Sequence, residues 1–511
     1  MSDRNASAER TRTDISLFEA ALPVLVLVVL LSFSVYLFGS DSSYGANQIA
    51  LLIAGGIGAI IAVRHGHKWR EIEHAVKDGV ATAMGAVLIL LAVGSLIGTW
   101  MLSGTVPAMI YYGLKLLDPS VFFAATCLIC AITSLATGSS WTTAGTVGVG
   151  LLGVAMGLGM SPAITAGAVI SGAYFGDKMS PLSDTTNLAP AVAGTDIFTH
   201  IRHMAWTTTP SILVALALFA VIGLGHGSEL HDSRAEQTMA TLAAVFDLSA
   251  WTFVPLILVL VLAFRKFPAL PTIMLGALLG GVMAVVLQPD VVLARADAAD
   301  LSRPLALLKG VWVALADGYQ SSTGNEAVDS LLSRGGMSSM LNTVWLIITA
   351  LSFGAVLEHA GMLERLVRSA LAAAKSTGSL IASVIATCIG ANIIAADQYM
   401  AIVLPGKMYR AEFQRRGLDP RNLSRAIEDS GTLTSALVPW NTCGAYMAGT
   451  LGVATLTYLP FAFFNLLNPL VSLIYGFTGF TIVKLDAAAA EDTDVAAVEP
   501  GAQAVNSRPA E

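Results

Sequence analysis

Three long stretches of this chain carry no charge: no Asp, Glu, Lys or Arg occurs from Pro119 through Gly176, from Ser376 through Ala396, or from Ser430 through Val483. Nothing in such runs favours water, whereas a helix that crosses a bilayer needs about 20 predominantly apolar residues in succession. The rest of the chain agrees. Of its 511 residues 55% are apolar and 12% charged, against roughly a quarter charged in an average soluble domain. This balance excludes a soluble enzyme, and the net charge of -7 excludes a basic nucleic-acid binder. Six of the acids lie after Leu485, so the net charge says little about partners other than the lipid bilayer. All four cysteines (Cys127, Cys130, Cys388, Cys443) fall inside apolar segments, which argues for helix packing rather than a disulfide framework or a zinc site.

The first apolar run, Phe18 to Phe38, follows a polar start with Arg4, Arg10 and Arg12 and is too long for the apolar region of a cleavable signal, so it reads as a first span. Residues 1–15 and 485–511 lack aromatics and are rich in Ala, Ser, Asp and Glu, which predicts disordered ends. Residues 16–484 read as a single transmembrane domain. Its longest polar connection, Gln288 to Arg334, separates two halves of similar size.

A shift of 257 residues superposes Gly79 on Gly336, Gly104 on Gly361, Ser140 on Asp397, and Asp184-Thr185 on Asn441-Thr442, which predicts repeats over about 64–225 and 321–483. The basic residues change sides between the copies. Segments 64–78, 104–118 and 147–168 hold four, one and no Lys or Arg, and their counterparts in the second copy hold one, three and six. Because basic residues accumulate in cytoplasmic loops, the copies face opposite sides of the membrane. An inverted repeat of this kind builds transport sites from interrupted helices near the midplane. The fold predicted is an all-α polytopic membrane protein with about ten crossings, two re-entrant hairpins and both termini cytoplasmic. Hairpin tips are placed at Thr137–Thr143 and Ala391–Tyr399, because basic residues flank the apolar run Ser376–Gly406 on both sides.

Between Ser171 and Pro190 the chain sets Asp177, Lys178 and Asp184 in a polar interval broken by Pro181, which no continuous lipid-facing helix tolerates. Ser180, Ser183, Thr185, Thr186 and Asn187 add oxygens there. Hydroxyl, amide, carboxylate and carbonyl oxygens suit a small hard cation such as sodium, and ionisable groups at membrane depth point to function. The matching break in the second half runs from Glu428 to Gly444 and contains Asn441 and Thr442. Glu428 and Asp429 either belong to that break or pair with Arg425 at a helix start. Asp397 alone is charged from Ser376 through Gly406, so proton and sodium would compete for it. Ser139, Ser140, Thr142 and Asn392 supply neutral oxygens at the tips. Lys178 is either a holder of anions or half of an ion pair.

The histidines offer no shared metal site in sequence. His65, His67 and His74 sit in a basic loop, His200 and His203 flank Arg202, and most are expected to be solvated. His359 beside Glu358 reads as interfacial. No cofactor is expected, and the absence of a GxxxxGK loop leaves ATP-driven pumping unsupported.

The runs Gly176-Asp-Lys-Met-Ser-Pro-Leu-Ser-Asp-Thr-Thr-Asn-Leu-Ala, Gly138-Ser-Ser-Trp-Thr-Thr, Asp397-Gln-Tyr-Met-Ala-Ile-Val-Leu-Pro-Gly-Lys-Met-Tyr409 and Val438-Pro-Trp-Asn-Thr-Cys-Gly444 closely resemble the NhaC family of sodium/proton antiporters, within the larger ion transporter superfamily. The resemblance covers roughly 45–480. It implies a two-repeat fold with paired hairpins in the cytoplasmic membrane and exchange of cytoplasmic sodium for external protons, with sodium as transported substrate. The family also contains sodium- and proton-coupled exchangers of malate for lactate, so a small organic acid is the alternative substrate. Oligomeric state is left open, a homodimer among the options.

Overall fold

The computed structural model describes residues 15–225, 229–298 and 300–485. The expected tails at 1–15 and 485–511 thus fall almost wholly outside the described residues. The fold is helical throughout, with a single isolated bridge between Leu418 and Lys484 among the described residues. Eight helices are long and apolar enough to cross a membrane, and up to ten if each of two bent pairs counts as one span. Their outer faces carry Val28, Ile60, Leu213 and Val286 in the open, the surface expected of a chain whose surroundings are lipid.

Polar side chains cap the helices that break inside this bundle. Ser139, Ser161, Ser183, Asp397, Asp419 and Asn441 each accept a hydrogen bond from a backbone N–H in the first helical turn. Such caps satisfy donors that lipid cannot.

The helices recur at a near-constant offset. Met84–Leu102 and Thr105–Leu116 return as Leu341–His359 and Met362–Ala373, 257 residues later. Beyond the hairpin tips the offset becomes 258: Asp184–Ala193 returns as Thr442–Leu451, and Pro162 and Pro420 both open helices. One extra residue lies at the second tip. Left-handed Gly138 (φ 70°) and the cap Ser139 correspond to left-handed Ala396 (φ 56°) and the cap Asp397. The pairing of Ser140 with Asp397 read from sequence is therefore one residue out, as is that of Asp184 with Asn441, because the cap Ser183 is the counterpart of the cap Asn441.

Two close crossings position the site. A Cβ on Gly172 would lie 2.0 Å from the Cys127 carbonyl oxygen, and one on Gly176 would lie 2.4 Å from the Leu135 nitrogen. Paired small residues four apart let two membrane helices touch backbone to backbone. Helix Phe122–Thr137 thus lies against Pro162–Met179 with Cys127 and Cys130 packed in the core.

The polar connection between the halves is folded. Helix Arg303–Asp317 lies on Met84–Leu102, with Ser95 Oγ donating to the Leu315 carbonyl at 2.9 Å and Gly336 N to the Gly94 carbonyl at 2.7 Å. Nearby, the Thr323 backbone N–H and the Ser321 hydroxyl donate to Asp329 and hold its pKa below the usual carboxylate range. A depressed pKa contributes stability that is present above the unfolded value and lost as pH falls through the folded one, so this clasp opens only in acid.

Candidate functional site

The first tip and the first break meet through one carboxylate. Helix Phe122–Thr137 stops at Gly138, whose backbone sits so close to Leu182 that a Cβ would lie 2.6 Å from the leucine Cβ. Ser140 then donates its N–H (3.2 Å) and hydroxyl (2.6 Å) to Asp177 Oδ2. Thr186 donates its hydroxyl to the Asp177 and Lys178 carbonyls at 3.1 and 3.0 Å, so two carbonyls freed by the break are occupied. Ser180 Oγ donates to the Leu135 carbonyl at 2.9 Å, and Asn187 Nδ2 to the Pro181 and Ser183 carbonyls at 3.0 and 2.6 Å. Thr186 and Asn187 thus bind the break's own backbone, and Ser180 ties it to the preceding helix.

The second tip is built on amides. Asn392 Nδ2 donates to the Gly431 carbonyl (2.7 Å) and Thr434 Oγ1 (3.0 Å), while Asn441 Nδ2 donates to Asn392 Oδ1 at 3.0 Å. Thr442 N donates to the Ala396 carbonyl at 3.0 Å, tying the second break to the second tip. Asp397 accepts from Met400 N at 2.9 Å and is half-buried rather than sealed.

The two halves join at two places. The Trp141 and Tyr446 rings stack at 4.0 Å, and the tyrosine hydroxyl donates to the Trp141 carbonyl at 2.9 Å. Deeper in, Lys178 Nζ donates to Asp429 Oδ1, which also accepts from Thr207 Oγ1 at 3.0 Å, and both members of this ion pair are fully buried. Beside it Glu428 lies within a π-helical turn, Glu428–Thr432, near Thr185, Thr432 and the Lys178 charge.

The buried oxygens left over there set this place apart. Both carboxylate oxygens of Glu428, Asp429 Oδ2 and the Thr432 hydroxyl have no hydrogen-bond partner among the described residues. A buried polar group without a partner costs about 1–3 kcal/mol, and more when charged, so these oxygens keep acceptor capacity beside a buried lysine. With Asp177, Glu428 and Asp429 against Lys178, the inner cluster carries a formal charge of -2 when all are ionised.

The sequence-predicted residues divide accordingly. Asp177, Lys178, Ser140, Thr142, Ser180, Thr185, Thr186, Asn392, Asn441 and Thr442 are buried around the two tips. Asp184 and Asn187 are exposed, with Tyr399 OH 3.4 Å from Asp184 Oδ2. Asp184, Asp177 and Asp397 all lie within electrostatic reach of Tyr399, the residue that links the outer acids to the inner ones.

Of the two alternatives open for Glu428 and Asp429, pairing with Arg425 is not the one found: the Arg425 guanidinium donates to Thr481 Oγ1 at 2.7 Å, and Asp429 pairs with Lys178, 251 residues away. The expectation about the histidines needs correction. Of the six histidines with described side chains three are buried, while His226 and the His231 side chain lie outside what is described. His67, His200 and His203 are buried, and His200 Nδ1 lies 2.9 Å from Ser424 Oγ because helix Ile197–Leu224 packs under helix Pro420–Ile427.

A cavity of about 810 Å³ leads inward from the Ser42 end of the molecule. It is lined by Asn47, Asn342, Thr343, Val438, Pro439 and Trp440 among others, so it reaches the second break.

Comparison with known proteins follows the same residues. The model of the Na+/H+ antiporter family matches residues 172–480. The chain is 40% identical over 437 residues to a Na+/H+ antiporter NhaC of Alkalihalophilus pseudofirmus, covering 85% of this chain and 90% of that one. It is 38% identical over 466 residues to a malate-2H+/Na+-lactate antiporter of Bacillus subtilis, covering 91% and 95%. An arginine/ornithine antiporter of Halobacterium salinarum is 34% identical over 475 residues, covering 92% and 93%.

Proposed function

The chain belongs to the Na+/H+ antiporter family, and from that premise we propose that it exchanges sodium for protons across the cytoplasmic membrane, the two cations competing at buried carboxylates. The observation that carries this reading is the set of unpartnered carboxylate oxygens on Glu428 and Asp429 beside an already neutralised lysine. An inner cluster of charge -2 is too costly to move past a low-dielectric barrier, so it must be filled before the carrier reorients. Protons fill it by forming neutral carboxylic acids, and sodium does so by accepting the same oxygens as ligands. Occupation by one expels the other, and this competition is the coupling.

Asp177, Glu428 and Asp429 form the inner store on this reading, while Asp397 and Asp184 stand at the tips and the mouth, where arriving cations lose water. Ser139, Ser140, Thr142, Thr185, Asn392, Asn441 and Thr442 hold these acids and offer neutral oxygens along the way. On this reading the opposed basic loops support cytoplasmic termini, and the cavity at Ser42 is then the external vestibule.

An organic-acid substrate, as in the malate and lactate relative, requires a positive handle for its carboxylate. Lys178 is the one buried lysine among the described residues, and its ammonium is committed to Asp429. Sodium and proton alone therefore suffice. The test is a proteoliposome with an inside-acid pH gradient. Sodium added alone should dissipate the gradient; dissipation only when malate or lactate accompanies sodium would establish the other substrate class.

A further inference from the structure

We infer that the chain carries a second cation site, for a zinc-class divalent ion, where the end of helix Leu341–His359 meets the turn between helices Ala46–Arg64 and Trp69–Thr82. His67 in that turn, Glu71 in the next helix and His359 at the end of its own helix come from places nearly 300 residues apart in sequence. Each offers one ligand atom, and all three atoms lie within 4.8 Å of one another. The His67 and His359 rings meet edge to face with centroids 5.1 Å apart. His359 Nε2 is buried and has no hydrogen-bond partner among the described residues.

The donor set selects the ion. Two imidazoles and one carboxylate suit zinc, cobalt or nickel, whereas calcium and magnesium want oxygens throughout. Three protein ligands leave one position of a tetrahedral ion to water, and both Glu71 and His359 are half-buried rather than sealed. The Glu71 carboxylate also accepts from Lys68 N at 3.2 Å, an outer contact of the kind that orients metal ligands. The site is separate from the transported cation, whose ligands are oxygens in the helix breaks.

Its position gives the ion a mechanical consequence. Helix Leu341–His359 presses Gly354 onto the second tip, where an added Cβ would lie 2.8 Å from Ala395 Cα. At the next residue it meets the Trp69–Thr82 helix, with Gly79 against Ala355. A bound metal would tie the end of this helix to the turn at His67 and hold the support of the second tip in place.

The test uses the purified full-length chain in detergent. Cobalt should bind with a visible d–d spectrum of low coordination number, and zinc should displace it at one ion per chain. His67→Ala and His359→Ala should each weaken zinc binding by about tenfold or more, Glu71→Gln less, and exposed His74→Ala not at all. Zinc should raise the melting temperature of the parent chain but not of His359→Gln, whose metal-free melting reports that it still folds. No saturable zinc binding, or unchanged affinity in the His67→Ala/His359→Ala double variant, would overturn the assignment.

Discussion

The two helix breaks share a design and differ in chemistry. In the first, Thr186 and Asn187 close hydrogen bonds onto local carbonyls, Ser180 bonds the preceding helix at Leu135, and Asp177 is held by Ser140. In the second, the side chain of Glu428 and one oxygen of Asp429 have no hydrogen-bond partner among the described residues. The counterparts of Lys178 and Asp429 at the 258-residue offset are Ala436 and Ser171, so the buried ion pair has no twin. Helix lengths and caps recur at a near-constant offset because they depend on local backbone needs. The charges were placed once, in the space between the copies.

The largest expected effect tests the shared ion pair. Lys178→Met leaves Asp429 buried without its partner, which should destabilise the protein by about 3–5 kcal/mol. Lys178→Met with Asp429→Leu should recover most of that, because an apolar pair of similar volume replaces a pair of charges. Thermal melting of the three proteins in detergent decides. If the single variant melted with the parent, the pair would be no more than an incidental contact.

A smaller effect separates the two breaks by transport. Glu428→Gln should weaken sodium binding by at least about tenfold, equivalent to 1.4 kcal/mol, whereas Asp184→Asn at the exposed mouth should change it by less. Wild type should bind sodium more weakly as pH falls, by up to about tenfold per unit, because protons occupy the same oxygens. Glu428→Gln should flatten that slope. Equal slopes in Glu428→Gln and wild type, with the slope lost in Asp184→Asn, would move the competition to the first break.

The smallest effect compares the tips. Ser139→Ala removes a helix cap and should cost about 1 kcal/mol with little change in sodium affinity. Asp397→Asn keeps a good cap while removing the charge, so stability should hold while sodium affinity falls. Loss of stability without loss of affinity in Asp397→Asn would reduce this acid to a cap like its neutral counterpart.

Much of this was legible in the chain itself. The helix ends at Gly138 and Ala395–Asp397 fall inside the two stretches expected to hold turns, and the first break falls at Pro181. The register of the repeat was one residue out beyond the tips, since few identities cannot reveal a single inserted alanine whereas cap positions do. His67 read as a loop residue and His359 as an interfacial one, because nothing in sequence brings their helices together.

The sequence by itself determined that the chain must live in lipid, where it must break, and which residues could carry charge to the midplane. Desolvation is read from composition, since uncharged runs and interrupting prolines act locally. Only the tertiary structure decided which acid neutralises Lys178 and which are left for a cation. That choice spans 251 residues. It depends on which helices pack close enough to exclude water between them, a distance that local sequence does not encode.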